Sequence, residues 1–358
     1  MQEKVLMKGN EAIAEAAIRC GCRHYLGYPI TPQTEIAAYM AKRMPKIGGV
    51  FLQAESEIAA INMVYGVAST GKLAMTSSSS PGIALKCEGI SYLAGADLPA
   101  LIVNVQRGGP GLGGIQPSQS DYFLATRGPG HGDFHVLVLA PASVQEACDL
   151  TYLAFDLSDK YRVPAMILGD GMIGQLMEPV ELPPMRALSD IPEKNWATDG
   201  AFGEKRRILN SLLIDPDTLE PHVQALQKTY AEIAHSETRC ETYLCEDAEI
   251  VLTAYGTVGR IAKSAVDALR KCGVKAGLIR PITLFPFPAE AYRAAANTAK
   301  AFLTVELSLG QMVEDVELAV GGKKPVYFFG RQGGNVMTEE EIVDAAKEAL
   351  ETAEGVRK

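Results

Sequence analysis

Leu98-Pro99-Ala100-Leu101-Ile102-Val103-Asn104-Val105-Gln106-Arg107 is an apolar run that closes on an amide and a guanidinium. A run of this kind, without polar alternation, reads as a strand covered on both faces. Such strands belong to parallel sheets rather than to half-solvated antiparallel ones. The following Gly108-Gly109-Pro110-Gly111-Leu112-Gly113-Gly114 is too glycine-rich for regular structure, so Arg107 stands at the mouth of a loop, at the strand's C-terminal end.

Upstream, the same grammar repeats. Asn10 is placed to cap a helix through Ile13, Ala16, Ala17 and Ile18 that stops at Gly21, and His24-Tyr25-Leu26-Gly27 follows as a strand. Tyr28-Pro29-Ile30-Thr31-Pro32 is a stiff loop, because each proline fixes its own φ and restrains its predecessor. A helix over 34–44 and a strand at Val50-Phe51-Leu52-Gln53 lead to Ala54-Glu55-Ser56-Glu57, where a mostly apolar helix opens on carboxylates. A strand over 72–76 then enters Ser77-Ser78-Ser79-Ser80-Pro81-Gly82, read as a turn lined by hydroxyls.

Downstream of the glycine loop come Gly130-His131-Gly132-Asp133, a strand at 136–139, a helix at 143–155 and a strand at 165–168. Alternation sustained this long predicts a doubly wound α/β domain with a mainly parallel sheet, over residues 1–177. Pro179, Pro183, Pro184 and Pro192 break regular structure after Glu178, and with a charged helix at 220–241 they mark 178–245 as a linker. Strands near 249–254, 275–280, 301–306 and 326–329, with a C-terminal helix at 339–351, make 246–358 a second, smaller α/β domain.

Composition narrows the class. A net charge of −9 repels nucleic-acid phosphates, and the longest basic run is Lys205-Arg206-Arg207. No apolar stretch approaches membrane-spanning length, and the N-terminus does not read as a signal peptide, which places the protein in the cytoplasm. The seven cysteines include no Cys-x-x-Cys pair and read as reduced thiols rather than as a cluster or zinc site.

In sheets of this kind, ligands bind beyond the C-terminal strand ends. Thr31, Glu57, the serines at 77–80, Arg107 and His131 all fall on that edge. Singly, each has an ordinary reading: a rigid turn, a carboxylate at a helix N-terminus, a solvated loop, a surface ion pair. Together they point to a site. Gly169-Asp170-Gly171 has the look of a diphosphate-metal motif, with Asn195 at a suitable spacing. The prolines between them cannot build the helix and strand that would bring Asn195 back, so no metal is assigned to this chain.

Four segments carry a family resemblance: Gly27-Tyr28-Pro29-Ile30-Thr31-Pro32, Gln53-Ala54-Glu55-Ser56-Glu57-Ile58-Ala59-Ala60, Thr76-Ser77-Ser78-Ser79-Ser80-Pro81-Gly82 and Val105-Gln106-Arg107-Gly108-Gly109-Pro110. The chain resembles the alpha subunit of the 2-oxoacid:ferredoxin oxidoreductases over almost its whole length. Met7-Lys8-Gly9-Asn10-Glu11-Ala12 and Thr31-Pro32-Gln33-Thr34-Glu35 are most similar to the 3-methyl-2-oxobutanoate (2-oxoisovalerate) branch, with 2-oxoglutarate- and pyruvate-specific members as alternatives.

The resemblance implies a thiamine-diphosphate pyrimidine-binding domain followed by a transketolase C-terminal-like domain. It also implies oxidative decarboxylation of a 2-oxoacid to acyl-CoA and carbon dioxide. Magnesium, the diphosphate-binding domain and the iron–sulfur clusters would lie in partners: a beta subunit, an iron–sulfur subunit and ferredoxin, with coenzyme A as acyl acceptor. By the family's spacing to Gly66, Glu57 is the carboxylate that activates the aminopyrimidine ring, with Glu55 the runner-up. Thr31 and Arg107 match the positions that hold the 2-oxoacid, and Pro29, Ile30, Ser77 and Ser78 those that touch the cofactor. His131 and Asp133 read as shaping the pocket or an interface. A thiamine-dependent transketolase-type transferase and a scaffold without chemistry are the competing classes.

Overall fold

The computed structural model describes residues 4–203 and 205–355. The first part of the chain runs β1 (Lys4–Lys8), α1 (Gly9–Cys20), β2 (His24–Gly27), α2 (Thr34–Arg43), β3 (Val50–Gln53), α3 (Glu57–Ser69), β4 (Ala74–Ser78), α4 (Ser80–Gly95), β5 (Leu101–Gln106), α5 (Tyr122–Thr126), β6 (Leu137–Leu139), α6 (Val144–Tyr161), β7 (Ala165–Asp170), α7 (Gly171–Gln175) and β8 (Met177–Glu181). After an irregular stretch come α8 (Pro216–Ser236), β9 (Cys240–Tyr243), β10 (Ile250–Thr253), α9 (Gly256–Lys271), β11 (Ala276–Pro281), β12 (Thr283–Phe285), α10 (Ala289–Ala295), β13 (Ala301–Glu306), α11 (Met312–Val320), β14 (Val326–Gly330) and α12 (Glu339–Ala353).

The first sheet has the order β12-β6-β7-β5-β4-β2-β3. All its pairs are parallel except β12 with β6. Every residue of β5 is buried, as an uninterrupted apolar run in a covered sheet requires. The chain passes from β2 outward to β3 and then returns to the other side of β2 to form β4. That reversal opens a crevice between the C-terminal ends of β2 and β4, the place where such sheets accept ligands. The second sheet, β14-β13-β10-β11-β9, is parallel except for β9. The α/β class and the second, smaller sheet therefore match the sequence reading.

Several local expectations are corrected. Residues 4–8 form a strand, and Lys8 occupies the cap position of α1 while Glu11 reaches back to its N–H at 3.3 Å. Asn10 lies inside the first turn instead, donating to Pro32 O (2.8 Å) and Glu35 Oε2 (2.9 Å), which pins the Thr31 loop to α1. Pro179 sits within β8, paired with Leu6 of β1. A two-stranded ribbon consists only of edges, and an edge tolerates a residue without an N–H. The charged helix begins at Pro216 and ends at Ser236, ahead of the predicted stop, because residues 240–243 are taken up as the antiparallel edge of the second sheet.

The two sheets are fastened together at the C-terminal edge of the first. Gln119 receives the Leu307 N–H on its Oε1 (2.9 Å) and donates from Nε2 to Tyr255 O (2.9 Å). Asp170 caps α7 through the N–H groups of Met172 and Ile173 and accepts from Thr257 Oγ1 at 2.9 Å.

Candidate active site

The serine run is not a solvated turn. Ser77 and Ser78 are the last residues of β4, Ser79 occupies the cap position of α4 without a side-chain capping bond, and Ser80 is its first residue, with Ser77, Ser78 and Ser79 fully buried. Their depth follows from the position of β4 between β2 and β5. The Ser77 hydroxyl is committed: it bonds to Tyr25 OH (2.7 Å) and donates to Gln33 Oε1 (2.5 Å), while Gln33 Nε2 donates to Tyr28 O (3.2 Å). This chain laces the crevice between β2 and β4. The hydroxyls of Ser78 and Ser79 are buried with no partner among the described residues, an unusual expense unless something else binds them.

Glu57 opens α3 and is 7% exposed, whereas Glu55 lies outside the helix and is exposed. Ser56 caps the helix by accepting from Ala59 N at 3.1 Å, so Glu57 is free of capping duty. Its carboxylate accepts no hydrogen bond among the described residues. Gly82, in the first turn of α4, makes room for it: a Cβ there would stand 2.2 Å from Ser78 Oγ and 2.8 Å from Glu57 Oε1. Glycine is required by close approach here. One turn on, Lys86 is buried and donates to Thr76 Oγ1 at 2.6 Å and Ser77 O at 3.3 Å.

Arg107 follows β5 and is 9% exposed. Its Nη1 donates to Thr31 O and its Nη2 to Leu112 O, both at 2.9 Å, so the guanidinium joins the predicted Thr31 loop to the glycine-rich loop. Arg107 Nε is buried without a partner among the described residues. Two of the five N–H groups of an arginine are thus used and three remain, enough to grip a carboxylate. Behind it, Ser80 Oγ accepts from Arg107 N (3.0 Å) and donates to Asp121 Oδ2 (2.6 Å), which Asn104 Nδ2 also meets at 2.9 Å. Burial pushes the Asp121 carboxyl above its ordinary value, and the Ser80 and Asn104 hydrogen bonds oppose that rise.

Thr31 is exposed and its hydroxyl bonds to no described residue; Pro29 is exposed and Ile30 half-buried beside it. His131 and Asp133 are also exposed, on a loop that packs against α4 near Cys87 and is tied to α8 by Gln227 Nε2 donating to Asp133 O at 2.6 Å. No hydrogen bond links them to Glu57, Thr31 or Arg107. The structure therefore gathers Thr31, Glu57, Ser78 and Arg107 at one edge, spends Ser77 on the scaffold and sets His131 and Asp133 apart.

Asp170, whose carboxylate caps α7, stands at the C-terminal end of β7. Asn195 lies at the opposite edge of the sheet, where it lines a cavity of about 970 Å3 with Arg23, His24, Leu73 and Lys194. That cavity holds none of the residues gathered above. Arg23 bonds the carbonyls of Ile18 and Cys22 there and Lys194 pairs with Asp159, while Thr31, Glu57, Ser78 and Arg107 lie at the C-terminal edge, which is the candidate site.

Sequence reasoning placed Ser79 at this edge only as part of the serine run, and missed Gln33, Asp121, Gly82 and Lys86. Of these, Lys86 had a legible signal, a lone cation on the inward side of a helix otherwise lined by Ile83, Ile90 and small residues.

Residues 15–246 match the family described as "Pyruvate flavodoxin/ferredoxin oxidoreductase, thiamine diP-bdg", and residues 248–342 match "Pyruvate:ferredoxin oxidoreductase core domain II". The chain is 50% identical to the ketoisovalerate oxidoreductase subunit VorB of Methanothermobacter marburgensis, covering 96% of this chain and 97% of that protein. It is 39% identical to the 2-oxoglutarate synthase subunit KorA of Methanothermobacter thermautotrophicus, covering 96% and 98%. Among solved structures, a 2-oxoglutarate:ferredoxin oxidoreductase from Magnetococcus marinus, with 2-oxoglutarate, coenzyme A and succinyl-CoA bound, superimposes with a TM-score of 0.85 at 28% identity. That match covers 98% of this chain and 66% of the other. A split-gene transketolase shares the fold alone, with a TM-score of 0.59 at 14% identity.

Proposed function

The chain belongs to the thiamine-diphosphate-binding family of pyruvate and 2-oxoacid:ferredoxin oxidoreductases, and from that premise we propose that it supplies the ring-facing half of an active site completed by a partner chain. It is a subunit of a thiamine-dependent 2-oxoacid:ferredoxin oxidoreductase. The enzyme decarboxylates a 2-oxoacid oxidatively, yielding acyl-CoA and carbon dioxide and sending electrons to ferredoxin. The greater identity to a ketoisovalerate subunit than to a 2-oxoglutarate subunit supports a branched-chain substrate such as 2-oxoisovalerate.

The residues present fit thiamine diphosphate. The unpartnered hydroxyls of Ser78 and Ser79 and the glycine cradle at Gly82 leave polar atoms and space beside Glu57, as a ring with its own donors and acceptors would require. When bound, the cofactor supplies a carbon nucleophile for the keto carbon and a sink for the electrons released on decarboxylation. Glu57 is read as the group that exchanges a proton with the ring, from a position where little water competes. Pro29 and Ile30 would wall the ring and Ser78 hydrogen-bond it. Arg107 would take the substrate carboxylate with its free N–H groups, and the Thr31 hydroxyl would add one bond to the carboxylate or keto oxygen. Carboxylate-first binding orients the substrate before chemistry begins.

We assign the diphosphate, its magnesium and the iron–sulfur clusters to a beta subunit and an iron–sulfur subunit, with ferredoxin and coenzyme A as further partners, in the cytoplasm. Residues 1–177 would be the pyrimidine-binding unit, 178–245 the connector and 246–358 the transketolase C-terminal-like unit. Among the described residues no helix is long and apolar enough to cross a membrane.

The observation that carries this reading is the convergence of Glu57 and Ser78 on the space over Gly82, at the edge where Arg107 holds the Thr31 loop. Glu57→Gln keeps the shape and removes the acid. In the reconstituted complex it should assemble normally and lose at least a hundredfold in 2-oxoisovalerate-dependent dye reduction, the usual order for a proton-transfer group. Turnover by that variant within a few-fold of wild type would overturn the assignment.

A further inference from the structure

Lys86 is a fully buried cation in a helix that otherwise offers its inner face to apolar neighbours. A lysine in such a place loses its hydration without an ion pair in return, and the site must give it some other purpose or bear a needless cost. Its surroundings are ordered. Thr76 and Ser78 are two apart on β4 and so point to the same face. Gly82 and Lys86 are four apart on α4 and lie on one stripe.

The two rows face each other. Ser78 Oγ and Glu57 Oε1 both crowd the space over Gly82, while Lys86 Nζ donates to Thr76 Oγ1 and Ser77 O one step behind. Gly89, on the next turn, packs so closely that a Cβ would meet Ile61 Cγ2 at 2.4 Å, which fixes α4 against α3 and leaves the lysine no route to solvent.

We propose that Lys86 is a positioning residue for Glu57, holding a positive charge behind its carboxylate so that the carboxylate stays directed toward the ring. This rests on the reading of Glu57 as the cofactor-facing acid. Of the charged groups on adjoining elements, Asp121 is engaged by Ser80 and Asn104, and Glu88 of α4 itself faces outward to Tyr92. The β4 neighbours carry no charge. Glu57 is the charge that acts on Lys86: burial brings its ammonium down to about 7 against the opposing pull of Glu57. Lys86 therefore changes charge across neutrality, and substrate turnover should sense it.

The test uses the full chain, alone and with its partners. Lys86→Met keeps length and removes the charge. The acid limb of its kcat/KM profile should move up, since a positive charge behind a carboxylate opposes its protonation. A role confined to packing would change the thermal midpoint and leave that limb in place.

A second readout needs no turnover. In wild type the unfolded lysine binds a proton between pH 7 and its ordinary value near 10, which the folded one does not, so the thermal midpoint gains from rising pH across that window. In Lys86→Met this gain should vanish. In Glu57→Gln, where the counter-charge is gone, it should begin below pH 7.

A Lys86→Met rate profile that overlies wild type, or a Glu57→Gln midpoint with the wild-type pH dependence, would overturn the proposal. Should Lys86→Met fail to assemble, the Glu57→Gln midpoint decides alone. Failure of the parent reading is distinguishable, because it appears as an active Glu57→Gln. An inactive Glu57→Gln beside an unshifted Lys86→Met rejects only the lysine's part.

Discussion

Gly82→Ala is the smallest change that reaches the centre of the site. Alanine is worth up to about 1 kcal/mol over glycine in a helix interior, so propensity alone would stabilise α4. The new methyl, however, would stand 2.2 Å from Ser78 Oγ and 2.8 Å from Glu57 Oε1, where ordinary contact begins at 3.4 Å. Ser78 must leave its rotamer, at about 0.5–1.5 kcal/mol, which roughly cancels the gain in propensity. The carboxylate must retreat by about 0.6 Å. Misplacement of a reacting group by about 1 Å costs on the order of a hundredfold, so this displacement should lower kcat by about 10- to 100-fold, or roughly 1.4–2.7 kcal/mol. The expected pattern is a large kinetic defect with a thermal midpoint near wild type. It is measured by viologen reduction in the reconstituted complex with 2-oxoisovalerate and coenzyme A, and by calorimetry of the chain. A variant with kcat within twofold of wild type and a raised midpoint would show that the space over Gly82 has no part in catalysis.

Arg107→Lys keeps the charge and loses the planar fork, including the two bonds that hold Thr31 O and Leu112 O. Its KM for the 2-oxoacid should rise by tenfold or more while kcat falls less, as initial-rate kinetics would record. Arg280, nearly buried, joins Glu146 of α6 (2.6 Å) to Glu241 of β9 (2.7 Å), so Arg280→Ala leaves two carboxylates facing each other across the sheets. The loss at pH 7 should be about 3 kcal/mol by urea denaturation, the low end for a broken buried pair because both carboxylates keep some water. Burial works to raise the Glu241 carboxyl, but hydrogen bonds from Lys263 and Arg280 outweigh it and hold the group below its ordinary value. The stability it lends is therefore full above the ordinary carboxylate range and lost as pH falls through the lowered value. In Arg280→Ala that loss should begin at a higher pH, and an unchanged acid-unfolding midpoint would contradict the linkage.

The covered strand at 101–106 could be read directly, because a short apolar run without alternation, closed by a glycine-rich loop, suits little besides a strand buried on both faces. Once its direction and its neighbours' alternation were fixed, the edge that carries Thr31, Glu57 and Arg107 followed from chain order. Ser77 to Ser79 were misread because hydroxyls are usual in turns; their burial comes from β4 lying between β2 and β5, and sheet order is a tertiary fact. Pro179 misled for a related reason, since proline excludes a central strand but not an edge. The three-residue strand Thr283–Phe285 carries too little pattern to be seen in sequence, and its partner lies at Leu137–Leu139, far away along the chain. Gln33 and Asp121 were equally hidden, each polar residue acquiring its role from groups brought up by other loops.

That short strand has a bearing on how the molecule comes into being. On the ribosome, residues 1–177 emerge with β6 as an open edge, its N–H and C=O groups ready to pair with any passing chain. The strand that closes this edge leaves the exit tunnel only after about a hundred further residues, several seconds or more at ordinary rates of synthesis. Over that interval the nascent first sheet is complete at the edge that carries Glu57 and Arg107 and unfinished at its rim. A fragment cut before Thr283 would be held permanently in that state.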